Sequence, residues 1–163
     1  MKRLLVILTL AATCEAQETQ GTGGWENTHW GMTEQQIREL YPKATAYPKQ
    51  PGAKLESLEI ESFDLAGESF AAHFFFDASG GLNEVRFTKN SKSEFELIPA
   101  RAKAESLLKQ KYGTPSTRTA DEIFLRVAWN KPDTTVSLDY TAIPLISTFM
   151  LAIKYQRPKA DTP

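Results

Sequence analysis

Six segments of this chain alternate apolar and polar side chains with a period of two, and this alternation is the strongest constraint on its fold. Successive side chains of a β-strand point to opposite faces of a sheet, so the pattern predicts strands with one buried face. Glycine-containing turns such as Asp77–Gly81 join neighbouring segments. Meander connections of this kind predict an antiparallel sheet of about six strands. The alternating segments cover residues 58–62, 70–76, 82–88, 123–129, 136–140 and 149–155.

Two segments carry helical signals. Thr33 and Gln36 have the spacing of a capping box, and Pro42 ends the first helix after about two turns. An apolar stripe at helical spacing predicts a second helix, which begins at Pro99 after a turn at 93–98 and ends at Gly113. The loop predicted over residues 44–54 contains two prolines. The stripe comprises Leu97, Ala100, Ala104, Leu107, Leu108 and Tyr112.

The order helix, three strands, helix, three strands predicts an α+β fold. Two amphipathic helices cover only one face of such a sheet, which leaves the other face open. The two helices end at Tyr41-Pro42 and at Tyr112–Pro115, and the two halves end at Val85–Phe87 and at Ile153–Tyr155. The similar spacing of these ends suggests a duplicated α-β-β-β unit within one domain.

The first 16 residues have the layout of a secretory signal peptide. Lys2 and Arg3 precede the apolar run Leu4–Ala12, and Ala16 suits the residue before a cleavage site. A helix of this run is too short to cross a bilayer. We therefore expect cleavage after Ala16 and a periplasmic or secreted protein without a transmembrane span. The alternatives are a lipoprotein anchored through Cys14, where Thr13 fits poorly before the cysteine, and a short buried element.

Composition excludes several classes of protein. The chain has 19 Lys and Arg against 20 Asp and Glu, so no basic excess exists for binding nucleic acid through phosphates. The single cysteine excludes an internal disulfide and a cysteine metal cluster. Beyond the signal peptide we expect a flexible leader over residues 17–24, one α+β domain over 25–157 and a disordered tail over 158–163.

The segment Trp30–Arg38 reads Trp-Gly-Met-Thr followed by three polar residues, isoleucine and arginine. It resembles an opener of small exported bacterial proteins, among them the β-lactamase inhibitor protein and the SmpA/OmlA group of outer-membrane lipoproteins. The resemblance implies an exported helix-and-sheet binding module that is not an enzyme. It covers nine residues, and no functional residue is carried over from it. The chain has no second Gly-Met-Thr opener and no pair of cysteines.

Motifs for catalysis are absent from the sequence. His29 and His73 are the two imidazoles, and neither belongs to a metal-ligand pair. The chain contains no nucleophile elbow, no His-Glu-x-x-His motif and no glycine-rich phosphate loop. We therefore predict no catalytic residue, no metal and no cofactor. The alternative of a hydrolase requires acids or a serine to converge on one of the histidines.

The open sheet face is the predicted functional surface, because the same alternation that buries one face of the strands fixes the other. This face combines aromatic side chains with arginine and lysine, which binding hot spots favour. We expect contact with a protein or an envelope component there; the alternatives are an ordinary solvated face and a carrier holding a small apolar ligand between sheet and helices. The candidate residues are His73, Phe75, Arg86, Phe124, Arg126 and Lys154, with Glu84 and Asp139 beside them.

Overall fold

The computed structural model describes residues 23–47 and 57–158, which form an α+β fold with one antiparallel sheet. The predicted fold class is confirmed, but the sheet has eight strands instead of about six. The predicted signal peptide, Cys14 and most of the predicted leader and tail lie outside the described residues. The helices are α1 (Glu34–Leu40) and α2 (Glu94–Tyr112). The strands are β1 (Thr45–Ala46), β2 (Ser57–Leu65), β3 (Glu68–Phe76), β4 (Leu82–Ser91), β5 (Thr117–Ala120), β6 (Phe124–Asn130), β7 (Thr135–Ile143) and β8 (Thr148–Gln156).

The two strands missed by the sequence are short and lie at the two edges of the sheet. β1 falls inside the segment predicted as a loop, and β5 follows the end of α2. Every residue of β1 and β5 is exposed. An edge strand without a buried side has no apolar alternation, so these two strands left no signal of period two.

The order of strands in the sheet is β1-β2-β3-β4-β8-β7-β6-β5, and every pair is antiparallel. Each half of the chain runs through one helix and four consecutive strands. The last strands of the two halves, β4 and β8, pair at the centre, where Arg86 lies opposite Lys154 and Phe87 lies opposite Ile153. This pairing joins both halves into one continuous sheet.

The core lies between the helices and one face of the sheet. Phe74, Phe87, Leu138 and Leu151 are fully buried, and α2 packs across β4, β7 and β8. The eight strand residues expected under the helices are all buried: Phe74, Phe76, Val85, Phe87, Leu125, Val127, Leu151 and Ile153. The alternating pattern therefore distinguished the two faces correctly.

The segment before α1 closes one end of the core. The ring of Trp25 lies 4.7 Å from that of Phe87, and the Trp30 indole N–H donates to the carbonyl of Asp133 at 2.7 Å. Gly23, which was expected in the flexible leader, accepts a backbone hydrogen bond from Trp30. An added Cβ at Gly23 would lie 2.3 Å from the carbonyl oxygen of Asp133, so only glycine fits this approach. The ordered part of the chain therefore includes Gly23.

Both ends of the expected first helix are found, but α2 begins earlier than expected. In α1 the Thr33 hydroxyl accepts from the backbone of Gln36, which completes the predicted capping box. α2 begins at Glu94, so Pro99 lies in its second turn. Proline removes a single helical hydrogen bond there. Burial of Leu97 and a 2.9 Å hydrogen bond from the Tyr140 hydroxyl to Glu94 hold the first turn in place.

Neither helix is suited to a membrane. In residues 23–47 and 57–158 no helix combines the length and the apolar character that a bilayer span requires. α2, the longer helix, carries charged side chains in both its first and last turns.

Candidate interaction face

All six candidate residues lie on the sheet face opposite the helices. The pairing register places His73, Arg86 and Lys154 in one row across β3, β4 and β8. Their neighbours Phe74, Val85 and Ile153 are buried on the helix side, and successive residues point to opposite faces. The same argument places Arg126 beside Asp139 on β6 and β7.

Four side chains on β3, β4 and the chain after β1 form an aromatic cluster, which we define as Tyr47, His73, Phe75 and Arg86. The Tyr47 ring meets His73 edge to face at 5.1 Å, and His73 stacks on Phe75 at 6.0 Å. The guanidinium of Arg86 lies 4.6 Å from the centre of the Phe75 ring. Such a cation–π contact restrains the arginine over one aromatic face.

Glu84 holds Arg86 in this position. Arg86 Nε donates to Glu84 Oε1 at 2.6 Å, while Gln156 donates to the other carboxylate oxygen, also at 2.6 Å. Glu84 is buried, whereas the side chain of Arg86 remains 34% exposed. Hydrogen bonds from β4 and β8 therefore fix the Glu84 carboxylate. The carboxylate in turn holds the Arg86 guanidinium over the Phe75 ring, and both groups face solvent together.

Four further side chains form an ionic cluster, which we define as Phe124, Arg126, Asp139 and Lys154. Both carboxylate oxygens of Asp139 accept from Arg126, at 2.7 and 2.8 Å, and Lys154 Nζ lies 2.7 Å from Oδ2. Arg126 also lies 5.4 Å from the Phe124 ring centre. This network connects β6, β7 and β8 through one carboxylate.

Asp139 is charged although it is only 3% exposed. Burial by itself raises the pKa of this carboxyl, but the hydrogen bonds and charges of Arg126 and Lys154 outweigh it and hold the pKa below its ordinary value. The hydrogen bond to Asp139 likewise raises the pKa of Arg126. Asp139 and Arg126 thus form a charged pair at neutral pH.

The two clusters adjoin on the face, because Arg86 of the aromatic cluster lies directly opposite Lys154 of the ionic cluster, whereas their two phenylalanine rings are far apart. Phe75 is on β3 and Phe124 is on β6, with β4, β8 and β7 between them. Four strand spacings of roughly 4.8 Å place these rings about 19 Å apart or more. The next row on the same face carries the short side chains of Thr88 and Ala152, and Ala152 is only 1% exposed although it faces away from the helices. The face therefore carries one continuous group of charged side chains between the Phe75 and Phe124 rings.

His73 is a buried member of the aromatic cluster. Its Nε2 lies 3.2 Å from the Thr88 hydroxyl and 3.7 Å from Glu59 Oε1, and Nδ1 is buried without a hydrogen-bond partner among the described residues. Burial, followed by the charge of Arg86, lowers the pKa of His73, so the ring is neutral at neutral pH. The short approach of Glu59 is therefore a contact with a neutral imidazole, not an ion pair.

The surroundings of His73 differ from a catalytic triad. In a triad the nucleophile and the acid contact different ring nitrogens, whereas Thr88 and Glu59 both approach Nε2. The backbone N–H of His29 donates to the Met32 sulfur at 3.3 Å, close to the start of α1. Within residues 23–47 and 57–158 no group of three His, Cys, Asp or Glu side chains has the geometry of a metal site.

Two members of this surface were not recognised in the sequence. Tyr47 lies in the segment predicted as a loop, and its backbone N–H donates to the carbonyl of Ser57 at 3.0 Å at the sheet edge. Glu59 lies in the alternating segment 58–62 but is not among the candidate residues; it approaches His73, and burial raises its pKa. No local pattern marks either residue, because each owes its position to pairing between distant strands.

A cavity of about 170 Å³ lies on the opposite side of the sheet. It is bordered by α2, by the turn between β2 and β3, and by the segment around Trp25, and it is partly open to solvent. Apolar side chains including Phe70, Ile153 and Tyr155 line its floor. The described residues thus form a concave site next to α2, on the side of the sheet opposite the candidate face.

Comparison with protein-family models, with curated proteins and with solved structures finds no match to this chain. The likeness of Trp30–Arg38 to the opener of exported binding modules therefore stays a resemblance of nine residues. The function must be inferred from the residues of the two sites.

Proposed function

We propose that this protein is an exported, non-catalytic binding module of the bacterial envelope that contacts a protein or an envelope component through its open sheet face. The observation that carries the proposal is the aromatic cluster, in which Glu84 holds Arg86 over Phe75. Arginine and aromatic side chains are the residues that most often dominate binding energies at interfaces.

The fixed position of Arg86 favours binding over simple solvation. Ordering a long side chain at an interface costs roughly 0.5–1.5 kcal/mol, and a side chain that is already restrained avoids part of that cost. The face also carries both signs of charge, with Glu59 and Glu84 beside Arg86 and Lys154. A partner surface with mixed charge around an apolar centre fits this arrangement.

Affinity capture from an envelope extract tests the role of the aromatic cluster. The double variant Phe75→Ala with Arg86→Ala should recover at least tenfold less partner than the wild-type protein. Gln110→Ala, an exposed change on α2, is the matched control and should recover as much as wild type. Equal recovery by all three folded proteins would overturn the proposal.

We infer the location from the first 16 residues, which support export and cleavage after Ala16. The intact mass of the protein recovered from a periplasmic fraction checks this inference, because cleavage there leaves a chain beginning at Gln17. Recovery in the membrane fraction that is lost in Cys14→Ser would instead indicate the lipoprotein alternative.

A second candidate function is carriage of a small apolar ligand. The cavity between α2 and the sheet supports it, since a site of this kind is concave and mostly apolar with a few polar groups at its edge. This function uses the opposite side of the sheet, so it does not compete with the proposed interaction face.

We also infer that the two halves derive from one duplicated unit, now of one helix and four strands. The equal element order of the halves and the central pairing of β4 with β8 support this inference. An alignment of related chains checks it: equivalent positions such as Tyr41 and Tyr112 should vary within the same residue classes. Independent variation at equivalent positions would contradict duplication.

A further inference from the structure

The cavity exists because α2 presents small side chains at two consecutive turns. Ala100 and Ala104 face the sheet, while Leu97 and Leu108 on the same face of the helix are buried against it. A leucine at position 104 would extend toward the space that Phe70 and Ile153 border. The two alanines therefore leave a gap, and the larger residues on either side prevent the helix from closing it.

The backbone at the mouth of the cavity is held in an uncommon conformation. Glu26 has φ 50° and Ala66 has φ 57°, two of the three positive values found at non-glycine residues of the described chain. Both residues border the cavity. Such conformations cost energy and persist where the surrounding structure enforces them, often beside ligand sites.

The mouth has an excess of positive charge. Lys103 and Lys111 border it, and neither ammonium has a carboxylate within 4 Å among the described residues. Glu68 also borders it; its carboxylate lies 2.5 Å from Lys89 Nζ, and the hydrogen bond and charge of Lys89, with a smaller effect of the Lys103 charge, lower its pKa. The three lysines around the mouth, Lys89, Lys103 and Lys111, therefore outnumber the two acids that border it, Glu26 and Glu68.

We propose that this cavity binds a small carboxylate with one aromatic ring or an equally short apolar chain. The apolar part lies against Ala104, Phe70 and Ile153, and the carboxylate lies between Lys103 and Lys111. An apolar protein cavity of about 150 Å³ accommodates benzene, so a single ring matches the size of this one. The inference rests on the second proposed function and is independent of the open sheet face.

Phenylacetate and phenylacetamide are suitable probes, because they share shape and differ in charge. Isothermal titration and ligand-observed NMR with the purified protein should show phenylacetate binding at least tenfold more tightly. Lys103→Met with Lys111→Met should remove this preference while phenylacetamide binding is unchanged. Ala104→Leu should abolish binding of both probes, with Ala100→Leu as a second filling variant, and Gln110→Ala should bind as wild type.

Each outcome decides one part of the inference. Equal affinity for the two probes would overturn the preference for an anion but retain the apolar site. Failure of both probes to bind the wild-type protein, or binding that persists in a folded Ala104→Leu variant, would overturn the site and the carrier function together. None of these results depends on capture of a partner by Phe75 and Arg86.

Discussion

The aromatic cluster and the ionic cluster each hold an arginine beside an aromatic ring, but they restrain it in different ways. Glu84 lies on the same strand as Arg86 and fixes it over Phe75. Asp139 lies on the strand next to Arg126 and also contacts Lys154 on a third strand. The first arrangement positions a side chain for contact, whereas the second connects three strands. Similar residues on one face can therefore serve binding in one place and stability in another.

Removing the central carboxylate of the ionic cluster should have the largest effect on stability. Asp139→Asn leaves Arg126 and Lys154 without their shared partner, and breaking a buried pair costs roughly 3–5 kcal/mol. Because both cations are partly exposed, we expect a loss of about 2–3 kcal/mol. Urea denaturation measures it, and Phe124→Ala is the control that leaves the bridge intact. If Asp139→Asn reduces the free energy of unfolding by less than Phe124→Ala does, the structural role of Asp139 is contradicted.

Removing the charge of Glu84 should affect binding more than stability. Glu84→Gln retains the size of the side chain but weakens its hold on Arg86, so we expect a destabilisation of about 1 kcal/mol. Partner capture should fall several-fold, because Arg86 is no longer held over Phe75. If Glu84→Gln reduces stability as much as Asp139→Asn and leaves capture unchanged, the distinction between the clusters is wrong.

Acid should destabilise the two clusters in different pH ranges. Burial lowers the pKa of His73 from its ordinary 6.5, so the unfolded chain binds its proton first and stability falls as the pH drops below about 6.5. A single titrating group changes the free energy of unfolding by at most about 1.4 kcal/mol per pH unit. His73→Gln should remove this part of the pH dependence, measured by urea denaturation between pH 8 and pH 5.

The pKa of Asp139 is lowered from its ordinary 3.8, so its stabilising effect is fully present above that value and is lost as the pH falls further. The difference in stability between wild type and Asp139→Asn should therefore be constant from pH 8 to pH 5 and decrease below about pH 4. A difference that already decreases at pH 6 would show that another group controls this cluster.

We expect the smallest effect on stability and on partner capture at Phe124, at the edge of the ionic cluster. Phe124 is half-buried and contacts Arg126 through its ring face. Phe124→Ala should cost about 1 kcal/mol or less and should leave partner capture within twofold of wild type. A tenfold loss of capture would extend the binding surface from the aromatic cluster across β8 and β7 to β6.

Local signals predicted the parts of the fold that depend on neighbours in the chain. The capping box of α1 and the buried side of β3, β4, β6 and β8 were identified from residue spacing alone. Pro99 was interpreted as the start of α2, although burial of Leu97 before it decides otherwise. The faces of His73 and Arg126 were also predicted, but not their separation into two clusters.

The sequence by itself determined which side chains share a face, because alternation along a strand is a property of the local backbone. Only the tertiary structure decided which strands lie side by side, since the pairing of β4 with β8 joins residues 58 to 72 positions apart. That pairing separates Phe75 from Phe124. Tyr47 reaches His73 through edge pairing, and the cavity arises where two alanines of α2 meet the sheet. Such contacts follow from packing between distant segments, which no local pattern records.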